Sequence, residues 1–496
     1  MSKGVRTSFL LLALVVGSGG SPQKPSRPSS PPRPVAEADV RQQAVREFEE
    51  GQKVHAQGHL TEAIAHYSRA LELIPDFPEA LYQRALAELS LGQMEQAARD
   101  LARLIELEKD FLPDPAAADP SVRSFFARVH NLQAELFIRQ NDPARAEEEL
   151  TKALARDPGW PRVRLNLASL FLSRRALDRA ITELQQVIAR EAPPAEAFSL
   201  LGAAYEQAGR TDDAIEQYSR ALALDPNDRL AREGRSRLLL QRKDYLRAVE
   251  DLEILQKVDP SPDRALQLAD AYAHINKDDQ AIALCQKLLL EDPKNRPARE
   301  RLIAWLAKSG RIADALAEAR RATELFPTDA TAWGRLGELL LSTDAEEAVR
   351  AYGRAVALEP SNLVFRANYG SALLKSRRFT DALEQFRAVL ARDPENAHAH
   401  AGLGTAFYEL KDYAQASHHF GWIVERQPQQ PVAYYFLAIC NDRLGQYEPA
   451  MTLYEKFIAL ADPLKHKNEI ENARLRIPAL KRLIEEAKRR RKESKR

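Results

Sequence analysis

The stretch AIEQYSRALALDPND, Ala214 to Asp228, recurs in near copy as AIAHYSRALELIPDF at Ala63 to Phe77 and as AVRAYGRAVALEPSN at Ala348 to Asn362. In the first copy Ile215, Tyr218, Ala221 and Leu222 fall at helical spacing. An acid–proline pair then closes the phrase. Proline lacks a donor and disfavours helical geometry in the residue before it, so each phrase reads as one helix with a stop.

The prolines set the period. Pro194, Pro226, Pro260, Pro293, Pro327, Pro360, Pro394, Pro428 and Pro463 follow one another at gaps of 32 to 35 residues. Ahead of each phrase lies another run with helical apolar spacing, such as Leu201 and Tyr205, and a turn residue such as Gly209 separates the two. A period near 34 with two helices per unit predicts a repeat array in which each unit buries its apolar face against its neighbours.

One unit carries Phe198, Leu201, Gly202, Tyr205, Ala214, Tyr218 and Pro226. That order and spacing resembles the tetratricopeptide repeat family, whose pattern sets large, Leu, Gly, Tyr, Ala, aromatic and Pro residues at fixed offsets. Ala63, Tyr67, Ala70 and Pro75 match it in the first unit; Gly404, Phe407, Ala416, Phe420 and Pro428 match it in a late one. Twelve units fit: two over residues 44–109, a Pro/Asp-rich insertion over 110–121, and ten more over 122–463. The ninth is one residue short in its inter-helix turn, at LLLSTDAEEA. Residues 464–496 break the period and read as a capping helix, interrupted by Pro478, with a basic tail. The resemblance implies an all-α, right-handed superhelical solenoid whose inner groove is lined by the first helix of each unit.

Composition agrees with well-folded material, at 45% hydrophobic and 29% charged residues. Charge is uneven. Residues 1–36 hold five Lys/Arg and no acid, and Lys481 to Arg496 carries a net +6, which leaves about −10 on residues 37–480 of a chain whose total is +1. An acidic body repels phosphate backbones, so nucleic acid is not an expected partner. The N-terminus has Lys3 and Arg6, the apolar run FLLLALVV over Phe9 to Val16, then GSGGS. That order reads as a secretory signal peptide over residues 1–20, followed by a Pro/Ser-rich linker over 21–43 that runs into the first helix. The expected address is a bacterial periplasm or the cell exterior; the alternative is an uncleaved membrane anchor. The basic tail reads either as a solvated helix end or as a contact for anionic lipid or an acidic partner.

Residues that would carry chemistry are sparse. Cys285 and Cys440 stand 155 positions apart with no CxxC neighbour, and read as buried apolar residues. His398, His400, His418 and His419 form the nearest approach to a metal cluster, yet within a helix neighbours at i and i+2 diverge, and His400 falls on the large packing position of its repeat. No HExxH, GxSxG or Walker motif occurs. The expectation is no catalysis, no cofactor, no metal and no small-molecule substrate.

Within the resembled family, members that clamp terminal carboxylates use paired asparagines, where this chain has Gln52, Leu86 and Glu135; those with an asparagine ladder would need more than Asn166 and Asn368. What stands out is the inward set of units ten to twelve: Val364, Leu374, His398, Tyr408, Val432, Tyr435, Ile439 and Arg443. Inward positions contribute little to packing between repeats and need not be apolar, so this set reads as a groove for a partner peptide. The competing reading is that curvature or the cap buries it. Phe48, Tyr82, Leu86 and Leu89 form a secondary patch. The function expected is a protein-binding scaffold of the bacterial envelope, or alternatively a regulatory or substrate-presenting subunit of an envelope enzyme or of a secretion or polysaccharide export complex.

Overall fold

The structure, a computed structural model, describes residues 34–115 and 118–493; the leader read over residues 1–20 lies outside them. Every regular element among the described residues is an α-helix. In chain order they form twelve pairs and a closing helix, distributed over two compact units, Met1–Asp251 and Leu252–Arg496.

The first unit contains α1 (Pro34–Ala56) and α2 (Leu60–Leu73), α3 (Pro78–Ser90) and α4 (Met94–Phe111), α5 (Pro120–Arg139) and α6 (Pro143–Arg156), α7 (Pro161–Ser173) and α8 (Leu177–Ile188), α9 (Ala195–Gln207) and α10 (Thr211–Leu224), then α11 (Arg229–Gln241). The border falls inside α12 (Tyr245–Val258). The second unit continues with α13 (Pro262–His274) and α14 (Asp278–Glu291), α15 (Arg296–Lys308) and α16 (Ile312–Leu325), α17 (Ala330–Leu340) and α18 (Ala345–Leu358), α19 (Leu363–Lys375) and α20 (Phe379–Leu390), α21 (Ala397–Glu409) and α22 (Tyr413–Arg426), α23 (Pro431–Arg443) and α24 (Tyr447–Leu460), closed by α25 (Lys467–Glu493).

The repeated phrase has a steric basis. Tyr218 is fully buried, and a Cβ built on Gly202 would come within 2.6 Å of its ring while one on Gly234 would come within 2.4 Å. The ring is therefore sandwiched between glycines of two consecutive first helices. In the second unit Phe386 is held the same way by Gly370 and Gly402, at 2.7 and 2.3 Å. Small and large residues alternate because helices approach closely only where one side has no side chain. The end of the phrase is equally physical: Asp228 accepts from the Ala231 amide at 2.9 Å, and Asn362 from Val364 and Phe365 at 3.1 and 3.2 Å, so the residue two beyond each proline caps the next helix.

Turns repeat as strictly. Gly58, Gly92, Gly209, Gly310 and Gly445, with Asn141, Arg175, Lys243, Asn276, Arg377 and Lys411, all hold positive φ between the helices of their pairs. No such residue lies between α17 and α18, where the turn is one residue short.

A second ladder runs through the polar interior. Glu47, His130, Arg164, Arg232, Arg299, Arg366 and His400 each bond a side chain nineteen residues later, on the second helix of the same pair. Several of these positions also donate to the carbonyl of the proline six residues earlier: Arg232 to Pro226, Arg299 to Pro293, Trp333 to Pro327, Arg366 to Pro360 and Tyr434 to Pro428. The large position of the repeat thus fills space and satisfies the carbonyl freed where the preceding helix stops.

Three boundaries differ from the sequence reading. Helix α1 begins at Pro34, inside the stretch read as linker. The insertion is shorter than residues 110–121, since α4 runs to Phe111 and α5 starts at Pro120, with Asp119 as its N-cap. And α25 passes through Pro478 without interruption. Pro478 and Arg474 are both on the exposed side, so the hydrogen bond that the proline cannot donate is lost at the surface and not in the core.

Candidate functional site

The groove residues lie on α19, α21 and α23, the first helices of three consecutive pairs in the second unit. Val364 is 66% exposed, and Val432, His398 and Arg443 are also exposed. Leu374, Tyr408, Tyr435 and Ile439 are half-buried. Two of the helices are tied at their open edge, where Ser371 and His398 bond at 2.8 Å between Oγ and Nε2. Beside that bond Leu374 lines an open depression with Phe379, Thr405 and Glu409.

Aromatic contacts carry the surface from α21 to α24. Tyr408 meets Phe436 edge-on at 5.3 Å and Tyr413 at 6.0 Å. Phe436 stacks on Phe420 at 5.3 Å, and Tyr435 meets Phe457 at 4.9 Å. Phe436 was not among the residues singled out in the sequence, although it completes the run Tyr434–Tyr435–Phe436.

These contacts correct one expectation. Tyr435 and Ile439 pack against the cluster of Tyr454, Phe457, Ile470 and Leu480, so the cap covers part of the groove at its last repeat. They contribute to packing, and truncating them costs stability as well as surface. Leu374 and Tyr408 lean on the neighbouring core in the same manner but less completely. The secondary patch is corrected more strongly. Phe48 is 5% exposed and rests 5.0 Å from the ring of Phe77; Leu89 is 1% exposed. Both are core. Tyr82 and Leu86 remain half-buried, with Tyr82 edge-on to Phe125 at 5.8 Å.

The histidines separate into two kinds. His400 is buried, stacks on Trp422 at 3.8 Å, and its Nε2 lies 3.1 Å from the Pro394 carbonyl. That carbonyl only accepts, so Nε2 carries the proton and Nδ1 is left as an acceptor. His419 Nδ1, 3.0 Å away, must then be the donor. The pair is neutral, and burial pushes both imidazoles down, His419 to about 4 with help from His400, His418 and Arg387. Among the described residues no group of three His, Cys, Asp or Glu stands where it could hold a metal ion. Cys285 and Cys440 are buried, and burial raises their thiols to about 11 and about 12.

The first unit holds the opposite arrangement. His130 is buried with Nδ1 2.6 Å from Glu149 and Nε2 3.1 Å from Glu108. Arg156 and Lys152 donate to the same two carboxylates at 2.7 and 2.8 Å. Burial alone would lower His130, but its two carboxylate bonds outweigh burial and raise it, while holding Glu108 and Glu149 below the usual carboxylate range.

A stack of helix pairs with a half-buried aromatic face and internal charges spent on packing defines a scaffold for protein partners. Tetratricopeptide profiles match residues 51–92, 79–110, 137–204, 195–228, 234–297 and 402–463, and the profile of the cytochrome c-type biogenesis protein H TPR domain matches residues 316–431. The chain belongs to the tetratricopeptide repeat family, and its fold is the all-α solenoid of that family. It is similar to DnaJ homolog subfamily C member 3 of Gallus gallus, 23% identical over 340 residues that cover 65% of this chain and 67% of that one. The rat protein of the same name is 23% identical over 369 residues and is covered to 66%, so the chain spans about two thirds of the length of these relatives. A solved structure of the APC/C hetero-tetramer Cut9–Hcn1 is similar at 13% identity over 88% of this chain and 96% of that one, with a TM-score of 0.37.

Proposed function

We propose that the protein is a non-catalytic scaffold of the bacterial cell envelope that holds a segment of a partner protein along α19, α21 and α23. The observation that carries this is the run of apolar side chains left half-exposed on three successive first helices, Leu374 and Tyr408 above all, although each also leans on the neighbouring core. The signal-like N-terminus supports the envelope address. The relatives named as DnaJ homologues, among them a fungal protein named as a co-chaperone, support a role in handling other proteins.

A second reading is favoured by one specific match. Residues 316–431 fit a domain named for cytochrome c-type biogenesis, which supports a subunit that presents a client to an envelope assembly. Affinity capture from the native host with wild-type protein and Tyr408→Ala separates the readings. Wild type is expected to recover a partner, and Tyr408→Ala to lose it at least about tenfold while keeping its melting temperature within a few degrees. Recovery of an enzyme complex selects the presenting subunit. Equal recovery by both proteins ends the groove reading.

A further inference from the structure

We propose that the C-terminal end of α25 is a contact site for an anionic membrane surface. The inference takes from the reading above its envelope address and not its groove. Lys488 to Lys492 is a run of five successive cations, which occurs nowhere else in the chain, and Lys481 to Arg496 carries a net +6. Earlier in the helix Ile470, Ala473, Leu480 and Ile484 are buried. Beyond Ile484 every residue to Arg490 is exposed, although the helix runs on to Glu493. More than a full turn of α25 therefore faces water all round.

These cations are not used inside the fold. Two other basic helices, α11 and α15, hand their charges to carboxylates: Arg232 and Arg235 share Asp251, Arg237 bonds Glu206, Arg301 bonds Asp270 and Lys308 bonds Asp278. On α25 Arg476 is tied to Asp442 and Lys488 to Glu448, whereas Lys481, Arg482, Arg489 and Arg490 take part in no ion pair among the described residues. Glu485 and Glu486 stand four places before Arg489 and Arg490, a spacing that offsets part of the repulsion and leaves the excess positive. The helix dipole favours cations as well, but only within the last turn, and the excess begins at Lys481, about three turns from the end.

Charge complementarity selects an anion, and shape selects which one. Among residues 481–490 no large apolar side chain is exposed, so this convex end offers a partner protein no anchor. A flat, fluid surface needs none, because anionic headgroups gather around a cluster of Lys and Arg at a helix end. The body of the chain, about −10 over residues 37–480, is repelled by the same surface, which confines the contact to the tail. The signal-like N-terminus favours lipid over nucleic acid, since its expected address is the envelope. With nothing apolar to insert, binding is electrostatic and sensitive to salt.

The test is co-sedimentation of the full chain with vesicles of phosphatidylcholine alone and of an equal mixture of phosphatidylcholine and phosphatidylglycerol. Binding is expected to be at least about tenfold tighter to the mixed vesicles and to vanish in high salt. Arg489→Gln/Arg490→Gln/Arg491→Gln/Lys492→Gln should lose that preference with its helical circular dichroism unchanged. Lys481→Gln/Arg482→Gln gives a smaller loss in the same direction and stands in if the fourfold variant does not fold. Equal binding to neutral vesicles, an unchanged preference in both variants, or an oligonucleotide that outcompetes the mixed vesicles overturns the proposal. Fractionation of the native host tests the address separately. If the wild type ignores the mixed vesicles yet captures its partner through Tyr408, the groove reading survives and this one falls.

Discussion

His130 and His400 occupy the same position of their repeats, the large position of the first helix, and each bonds a residue nineteen places on. One is a charged group surrounded by charge: two carboxylates flank the ring, and Arg156 and Lys152 balance them in turn. The other is a neutral ring in an aromatic stack, with Trp422 on one side and its partner His419 lying parallel to Phe407 at 5.8 Å. The repeat specifies volume and one hydrogen bond at this site; it does not specify protonation. What sets the charge is the partner on the second helix, Glu149 in one pair and His419 in the other.

The largest effect expected from breaking this contrast is at the first site. His130→Leu leaves Glu108 and Glu149 buried with one cation each and no central bridge. Removing one member of a buried charged group costs about 3–5 kcal/mol, because the remaining charges stay desolvated. Urea unfolding followed by circular dichroism is the measurement, and a loss below about 1 kcal/mol would mean that Arg156 and Lys152 suffice. His400→Leu removes only a neutral ring and strands the Pro394 carbonyl, for which about 1–3 kcal/mol is expected.

Acid separates the two sites without mutation. The folded-state pKa of His419 is depressed from 6.5 to about 4, so the unfolded chain binds a proton first and stability falls as pH drops through that window, levelling off below it. At about 1.4 kcal/mol per pH unit the loss is at most about 3 kcal/mol. His130 is raised, so its contribution is complete below 6.5 and is lost only as pH climbs through its folded value. Its carboxylates are depressed, so theirs is complete above 4.5 and is lost as pH falls through their folded values. Between pH 6.5 and about 4.5, therefore, amide exchange corrected for intrinsic rate should accelerate in α21 and α22 while α5 and α6 hold. Rebuilding the second site as His400→Arg/His419→Glu, after the Arg299–Glu318 pair of α15 and α16, should remove the acid response. A response that persists in this variant would belong to other groups.

Much of this was open to a reader of the sequence, and the reasons are local. Tyr218 and Gly202 declare their packing by spacing alone, because a ring at that offset needs a missing side chain opposite. Spacing says nothing about the element on the far side. Phe48 and Leu89 read as groove because the inward offset assigns them there, yet Phe77 and Tyr67 close over Phe48. Tyr435 and Ile439 read as groove, with burial by the cap as the competing reading, because the period ends before α25; they pack against the cluster that α24 and α25 form together. The His400–His419 bond was hidden for a different reason: chelation logic compares residues on one helix, and this contact joins two.

The smallest expected effect sharpens the comparison between the units instead of breaking it. Arg175 in the first unit and Lys411 in the second both hold positive φ, at 57° and 65°, where Gly209 and Gly445 serve other turns. A side chain there costs about 1–2 kcal/mol against glycine, and glycine gives back about 0.5–1 kcal/mol through the entropy it loses on folding. Arg175→Gly and Lys411→Gly should therefore each stabilise the fold by up to about 1 kcal/mol in urea unfolding. The two differ in function. Arg175→Gly is expected to leave capture of the partner unchanged, whereas Lys411→Gly, in the turn after α21 beside the groove, gains the same stability and weakens capture severalfold. If both variants gain stability and neither loses binding, Lys411 is held at positive φ for no purpose that the turn or the groove explains, and its charge is surface alone.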